Sequence, residues 1–384
     1  MAHRNTIFAQ LLGHVSRHDF ETLARKHHRG QKLRQASRWD QFVAMSLAHL
    51  SGRQSLRDIV SNQKAQSRRL YHTGSRGIAR STLARLNQKQ SAHLYQDLFY
   101  HLYTRCQSLS PKHPFRFKHK LYSLDASMIH LSLKIFPWAK FNRVKAAVKL
   151  HVGLDHDGFL PAFVEITQSK FSDLEGSEEF HFPPHSIVVF DRGYHNYSSY
   201  QKLTDRRVFF VTRLRKNAIF QTLEHYPVTQ GQGVLSDQKI TWNGTYSIKL
   251  KTSSLRLVVY NDQESGKIFQ FLTNHFDLDA KMIADIYKQR WQIELFFKWL
   301  KQHLQIRSFL GTTLNAVETQ IWIALCVHLV LAYVKYLAHS IFSLHQILGL
   351  MQINLFIKRN LLELLHNQLP QTIPKMQCQQ CSLF

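Results

Sequence analysis

Four side chains between residues 287 and 301 have the types and spacing to handle a phosphodiester: Tyr287, Arg290, Glu294 and Lys301. On an α-helix with 3.6 residues per turn, offsets of 3, 7 and 14 fall about 60°, 20° and 40° from the direction of Tyr287. The four therefore share one face. Its cations can bind phosphate oxygens while its carboxylate binds metal. A plain solvated helix with an i,i+4 Arg290–Glu294 pair has the same pattern, so this stretch alone leaves both readings open. Two other acids tilt the balance, because Asp125 follows the apolar run 121–124 and Asp191 follows the apolar run 187–190. If those runs are adjacent parallel strands, both carboxylates meet at one sheet edge, where open α/β sheets bind ligands.

Three converging carboxylates with no His or Cys cluster beside them suit hard, oxygen-loving ions, Mg²⁺ or Mn²⁺. Two such ions, about 3.5–4 Å apart, stabilise both the attacking and the leaving oxygen of a phosphoryl displacement. Asp155, Asp157, Asp173, Glu175, Glu178, Glu179 and Asp205 read instead as turn or surface residues, with Asp173 and Glu175 next in line for the site.

The elements that must position these residues follow from periodicity. Strands are predicted at 121–124, 146–154 and 159–167, with a hairpin turn at Asp157-Gly158, and then at 187–190 and 208–214, a mixed α/β sheet. Residues 217–276 read as a β-rich insertion, with strands at 234–241, 246–251, 255–260 and 268–272 and turns at Asn243-Gly244 and Ser265-Gly266. A single helix is expected from the N-cap Asp279 to about residue 305, and further apolar helices to about 368. The apolar run 321–334 is shorter than the roughly 18 residues of a membrane span and reads as a buried helix.

Residues 1–112 read as helical, with apolar periodicity at 39–50 and 91–103, and close at Ser110-Pro111. Within them, 55–60, a turn-rich stretch ending in Gly74-Ser75-Arg76-Gly77, and 78–88 resemble a helix-turn-helix arrangement. Ala79, Leu83 and Leu86 are expected to face the core. Ser81, Thr82, Arg85 and Lys89 then point outward and, with Arg80, suit either a DNA contact or a solvated face.

Composition narrows the partner. Fifty Lys and Arg stand against 25 Asp and Glu, a formal charge of +25, and 22 of those cations against five of the acids fall in residues 1–120. So uneven a field favours a polyanion held by the N-terminal third. The 44% hydrophobic content excludes a disordered chain, and four cysteines exclude a disulfide scaffold. Cys106 and Cys326 stand alone, and Cys378-x-x-Cys381 lacks the second ligand pair of a zinc site. No segment reads as a signal peptide or a membrane anchor, so the cytoplasm is the expected location.

Asp125-Ala126-Ser127, Asp191-Arg192-Gly193-Tyr194 and Tyr287-x2-Arg290-x3-Glu294-x6-Lys301 resemble the three motifs of the DDE transposases of insertion-sequence family four, which bear a Y-R-E-K signature. The resemblance covers residues from about 121 to 310 and rests most on the third motif. It implies an α/β fold with a ribonuclease H-like catalytic core and a β-rich insertion, preceded by an all-helical N-terminal domain and followed by C-terminal helices. The expected divisions are 1–112 (basic, DNA-end-binding), 113–216 (first part of the core), 217–276 (insertion), 277–310 (core helix with the catalytic Glu) and 311–384 (C-terminal helices). It implies that Asp125, Asp191 and Glu294 hold two Mg²⁺ ions and that Tyr287, Arg290 and Lys301 contact phosphates near the element's end. The implied partners are double-stranded DNA, as terminal inverted repeats and as target, and a second copy of the chain in a synaptic homodimer. Some members flip a base onto a Trp of the insertion. Trp242 holds that place here, although a core aromatic is the commoner role for such a residue. Against cut-and-join chemistry stand two rivals, a DNA-binding protein without catalysis and a nuclease that cuts without joining.

Overall fold

The computed structural model describes residues 5–140, 146–168, 172–177, 180–194, 196–229, 231–243, 253–304, 306 and 308–366. Helices α1 (Ile7–Gly13), α2 (Arg17–Lys26), α3 (Arg38–Ser51), α4 (Leu56–Ala65), α5 (Ser67–Leu70), α6 (Arg80–Lys89) and α7 (His93–Gln107) come first. Polar caps start several of them. In α3, for example, Ser37 and Asp40 form a reciprocal capping box, which satisfies amide donors that a helix start otherwise leaves open.

The sheet begins with β1 (Leu121–Leu131), β2 (Ala146–Asp155) and β3 (Leu160–Gln168), all antiparallel. After the short α8 (Asp173–Ser177), β4 (Ile187–Phe190) joins β1 in parallel, and β5 (Phe209–Arg213) joins β4 across the crossover helix α9 (Tyr197–Asp205). The order β3-β2-β1-β4-β5 with these directions is the ribonuclease H-like arrangement. Alternation along the strands gives the sheet two apolar faces. Leu121, Ile187, Val189 and Val211 point one way, while Tyr122, Leu124, Val188, Phe190 and Phe210 point the other, where Tyr200 of α9 covers them.

The insertion continues this sheet and is no separate lobe. Strands β6 (Phe220–Tyr226), β7 (Val234–Trp242), β8 (Leu255–Asp262) and β9 (Lys267–Thr273) form an antiparallel meander, and β9 pairs with β5 to give one nine-stranded sheet. An unpaired β5 would expose a row of backbone donors and acceptors, and β9 covers it. Strand β6 was missed in the sequence because its alternation is weak. The strand expected at 246–251 and the turn residue Gly244 lie outside the described residues.

Among the described residues five helices follow: α10 (Ala280–Lys288), α11 (Trp291–His303), α12 (Leu314–Leu337), α13 (Leu344–Asn354) and α14 (Leu361–Leu365). The single helix expected from Asp279 is two. Asp279 does cap α10, but Arg290 N bonds Tyr287 O at 3.0 Å and Ile293 N bonds Arg290 O at 3.2 Å, i to i+3 contacts that tighten the chain between α10 and α11. Helix α12 is the long apolar helix, buried along most of its length between α3, α6, α7 and α13. At about 1.5–3 kcal/mol for each large apolar side chain removed from water, it is a main source of stability.

The first and last helices share one core. Phe8, Phe42, Tyr95, Trp322, Ile347 and Leu361 belong to a single apolar cluster, which extends to Val148, Val152 and Val164 on β2 and β3. In α6, Leu83 and Leu86 are buried and Ser81, Arg85 and Lys89 exposed, as the periodicity predicts. Ala79 and Thr82 reverse their expected places, because Ala79 is the N-cap, ahead of the helix, and Thr82 rotates onto the buried face beside Leu83 and Leu86.

Candidate active site

The parallel register of β1 and β4 builds the site. Leu121 to Leu124 pair in sequence with Ile187 to Phe190, so Asp125 and Asp191 are the next residues on neighbouring strands. Asp125 does not end its strand as expected. β1 runs on to Leu131, and Asp125 lies opposite Val152 of β2. What ends there is the pairing with β4, and the parting of the strands opens room for a ligand. Alternation turns Asp125 to the face that α10 and α11 cover.

Asp191 is held by its own turn: Gly193 N donates to Asp191 Oδ1 at 2.7 Å. A Cβ on Gly193 would stand 2.8 Å from that oxygen, so any larger residue would push the carboxylate aside. Helix α11 packs along β1 and delivers Glu294 from its first turn.

Between the carboxylates stands Arg290. Its Nη2 donates to Glu294 Oε1 at 2.5 Å, and its Nη1 lies 3.5 Å from Asp125 Oδ2. Burial drives the Asp125 carboxyl up to about 6. A bond from Ala126 N and the charge of Arg290 oppose that shift, while Asp191 and Glu294 add to it by repulsion. The three acids therefore feel one another. Among the described residues no three His, Cys, Asp or Glu side chains are close enough to hold one metal ion, and the cation now between Asp125 and Glu294 is the guanidinium.

Lys301 Nζ donates to Ser127 Oγ at 2.6 Å, which ties the far end of α11 to β1 two residues past Asp125. Tyr287 packs on Phe271 with ring centroids 4.9 Å apart, and burial pushes its phenol up, so it stays a donor. The helix break leaves Tyr287, Arg290, Glu294 and Lys301 on the same side, because the chain stays near helical dihedrals through it.

The other acids divide between buried and surface positions. Asp155 and Asp157 are no surface residues but are buried beneath α7 and α12, and Lys120 lies 2.6 Å from Asp155 Oδ2 and 2.7 Å from Asp157 Oδ2. The hairpin turn between β2 and β3 is itself packed inward. Gly158 adopts φ +74°, Tyr336 Oη donates to its carbonyl at 2.6 Å, and a Cβ there would meet that hydroxyl at 2.7 Å. Asp173 pairs with Lys149 at 2.9 Å, Glu175 accepts from Ser172 N within the start of α8, and Asp205 is exposed. Glu178, Glu179, Cys378 and Cys381 lie outside the described residues.

Trp242 is buried at the end of β7, edge-on to Tyr197 with centroids 4.8 Å apart, the core aromatic rather than an exposed platform for a base. Arg80, Arg85 and Lys89 are exposed on α6. Tyr194, the last residue of the second motif and given no role of its own by the sequence, is buried next to the acids and has a hydroxyl without a partner among the described residues.

Comparison with known proteins agrees with the geometry. The chain is 34% identical over 212 residues to a putative transposase, y4zB, of Sinorhizobium fredii, covering 54% of this chain and 59% of that protein. It is 29% identical over 219 residues to a probable transposase for insertion sequence element IS5377 of Geobacillus stearothermophilus, covering 57% of each. The chain thus spans under three fifths of the length of these two relatives. Among solved structures, a piggyBac transposase synaptic complex with hairpin DNA matches at a TM-score of 0.44 and 11% identity over 94% of this chain and 84% of that one, too loose a likeness to argue from. Residues 3–76 match a domain of unknown function (DUF4372). Residues 116–330, more than half of the chain and all of its clustered acids, match the transposase DDE domain, and the chain belongs to that family.

Proposed function

We propose that this chain is a DNA transposase that cuts and joins the ends of an insertion sequence, with Asp125, Asp191 and Glu294 as its catalytic carboxylates. The observation that carries this reading is the register that sets Asp125 next to Asp191 at the edge α11 crosses with Glu294. A donor set of three carboxylates fits Mg²⁺ or Mn²⁺. Two such ions, when bound, would stabilise the attacking and leaving oxygens of the displacement.

The chain's own groups do the rest. Arg290 is to leave its place between Asp125 and Glu294 and turn its planar fork to phosphate oxygens, which it can grip two at a time. Lys301 and the protonated Tyr287 hold neighbouring phosphates. Water attacks the phosphodiester at the element's end and its P–O3′ bond breaks, leaving a free 3′-OH; that hydroxyl then attacks a target phosphodiester, forming the new P–O bond as the target's own 3′-oxygen leaves and takes up the proton. Residues 1–112 bind the element's ends, with Arg80, Arg85 and Lys89 on the exposed face of α6. Two copies of the chain pair the two ends in the bacterial cytoplasm.

Incubation of the protein with labelled element ends, a target plasmid and Mg²⁺ tests this directly. Joined product is expected. Cut ends alone would make the chain a nuclease, and binding without cutting a DNA-binding protein. Asp125→Asn, Asp191→Asn and Glu294→Gln are each expected to lower cleavage by on the order of a thousandfold or more with end binding retained, and not to add when combined.

A further inference from the structure

We infer that the cleft between α2 and α3 is a binding site for the phosphate backbone of duplex DNA. The inference rests on the reading of the N-terminal region as the DNA-binding part and names a place where it grips.

The cleft is open, about 890 Å³, and its cations are Arg25, Lys32, Arg34 and Arg38, with His28 beside them. Two carboxylates also line it, and both are engaged. Glu21 pairs with Arg17 at 3.0 Å, and Asp40 accepts from Ser37 N at 2.8 Å, Ser37 Oγ at 2.7 Å and Ser75 Oγ at 2.6 Å. Among the described residues no carboxylate lies within ion-pair distance of Arg25, Lys32, Arg34 or Arg38.

Arg38 is the decisive member. It is only 4% exposed, yet its guanidinium meets neutral groups alone: Gln90 Oε1 at 3.3 Å, Ser91 O at 2.9 Å and the face of Tyr95 at 5.2 Å, with Nε unpartnered. A buried cation without a counter-charge is costly, and an anion seated in the cleft would supply one. A phosphodiester suits the mixture of guanidinium and ammonium groups around it.

The cleft is also tied to the basic helix. Gln90, which follows Lys89 of α6, accepts from Arg29 N at 3.2 Å and donates to Arg29 O at 2.6 Å, so the loop 27–37 is pinned to the end of α6. Nearly half of the chain's Lys and Arg fall within residues 1–120 with only five acids, which favours a long polyanion over a short acidic peptide.

The test is fluorescence anisotropy of the full-length protein with a labelled mixed-sequence duplex of about 30 base pairs, titrated over a KCl series. Lys32→Glu with Arg34→Glu, both exposed, is expected to weaken binding at least about tenfold near 100 mM KCl and to flatten the log–log salt slope by about 2, at about 0.9 for each phosphate released. Unchanged affinity and slope would overturn the proposal. If Arg80→Glu with Arg85→Glu alone flattens the slope, the N-terminal reading stands and the cleft falls. If neither double variant does so although the wild type binds, the N-terminal reading itself fails. Labelled polyglutamate that binds as tightly as the duplex, and is lost in the cleft variant, would make this a peptide site and overturn the proposal too. Arg38→Met supplies a second readout. The melting temperature of the free protein should hold or rise while the shift produced by DNA shrinks, and a fall in melting temperature with an undiminished DNA shift would mark Arg38 as structural only.

Discussion

The paired strands β1 and β2 carry buried acids at two places three residue pairs apart, at the hairpin and at Asp125, and the two places treat them in opposite ways. At the hairpin, Asp157 is buried, but Lys120 and Lys112 hydrogen-bond it and His113 N donates to it, which holds its carboxyl down at about 2. Three pairs along, where β4 parts from β1, Asp125 has one arginine and two acidic neighbours, and burial drives it up to about 6. Burial acts the same way on both. The number of cations against the number of acids decides the sign. The hairpin is a neutralised, closed structural network, whereas the place around Asp125 is short of positive charge and lies where β1 and β4 part, which fits the proposed cation site.

The sharpest way to break this contrast is to neutralise each place. Asp155→Asn or Asp157→Asn takes one of two carboxylates from the half-buried Lys120 inside this network and is expected to cost about 3 kcal/mol in urea unfolding. Asp125→Asn should be neutral or stabilising by on the order of 2 kcal/mol at pH 7, because the folded state already resists its ionisation. A loss at Asp125 as large as that at Asp157 would make Asp125–Arg290 an ordinary ion pair. The pH dependences must also oppose each other. The depressed Asp157 contributes stability above about pH 4 that is lost as the pH falls toward about 2, while the raised Asp125 costs stability as the pH climbs from about 4 to about 6.

Next in size is Arg290→Lys, which keeps the charge between Asp125 and Glu294 but removes the fork. If Arg290 positions phosphate, single-turnover cleavage should slow by roughly a hundredfold, about 3 kcal/mol in the barrier, with metal binding retained. A near-normal rate would leave it a helix-surface pair worth under about 1 kcal/mol.

His328 carries the contrast to the back of α11. Its ring lies against Phe296 and Trp299, at 5.3 and 4.9 Å, with neither nitrogen partnered among the described residues, and burial holds it down at about 4. It is neutral when folded, so the unfolded chain takes up the proton and stability falls as the pH drops from about 6.5 toward 4. His328→Phe should flatten that acid limb by on the order of 2 kcal/mol in pH-dependent unfolding. An unchanged limb would place the acid sensitivity elsewhere, His156 being next, held down by burial at about 3.

The smallest effect is expected at Ser127. Ser127→Ala removes one bond to Lys301 and should cost about 1 kcal/mol or less in stability, with cleavage slowed only a few-fold. Cleavage falling as far as in Lys301→Ala would make that hydroxyl the main support of the lysine.

Much of the site was legible because it is local. A strand run followed by Asp191, a helix period placing Glu294 with Arg290 and Lys301, and the turn at Asp157-Gly158 each depend on residues a few positions apart. The charge asymmetry that points to a polyanion needs no fold at all. What stayed hidden depends on contacts between distant segments. That Asp125 lies inside a strand that outruns its partner is set by β2 and β4 together. The joining of the insertion to β5 is set by a strand some sixty residues downstream. The burial of Asp155 and Asp157 is set by α7 and α12, and the shared core of the first and last helices by chain ends more than three hundred residues apart. Periodicity reports which side of an element is apolar. It cannot report what covers that side, and the fate of each carboxylate in this protein turns on what covers it.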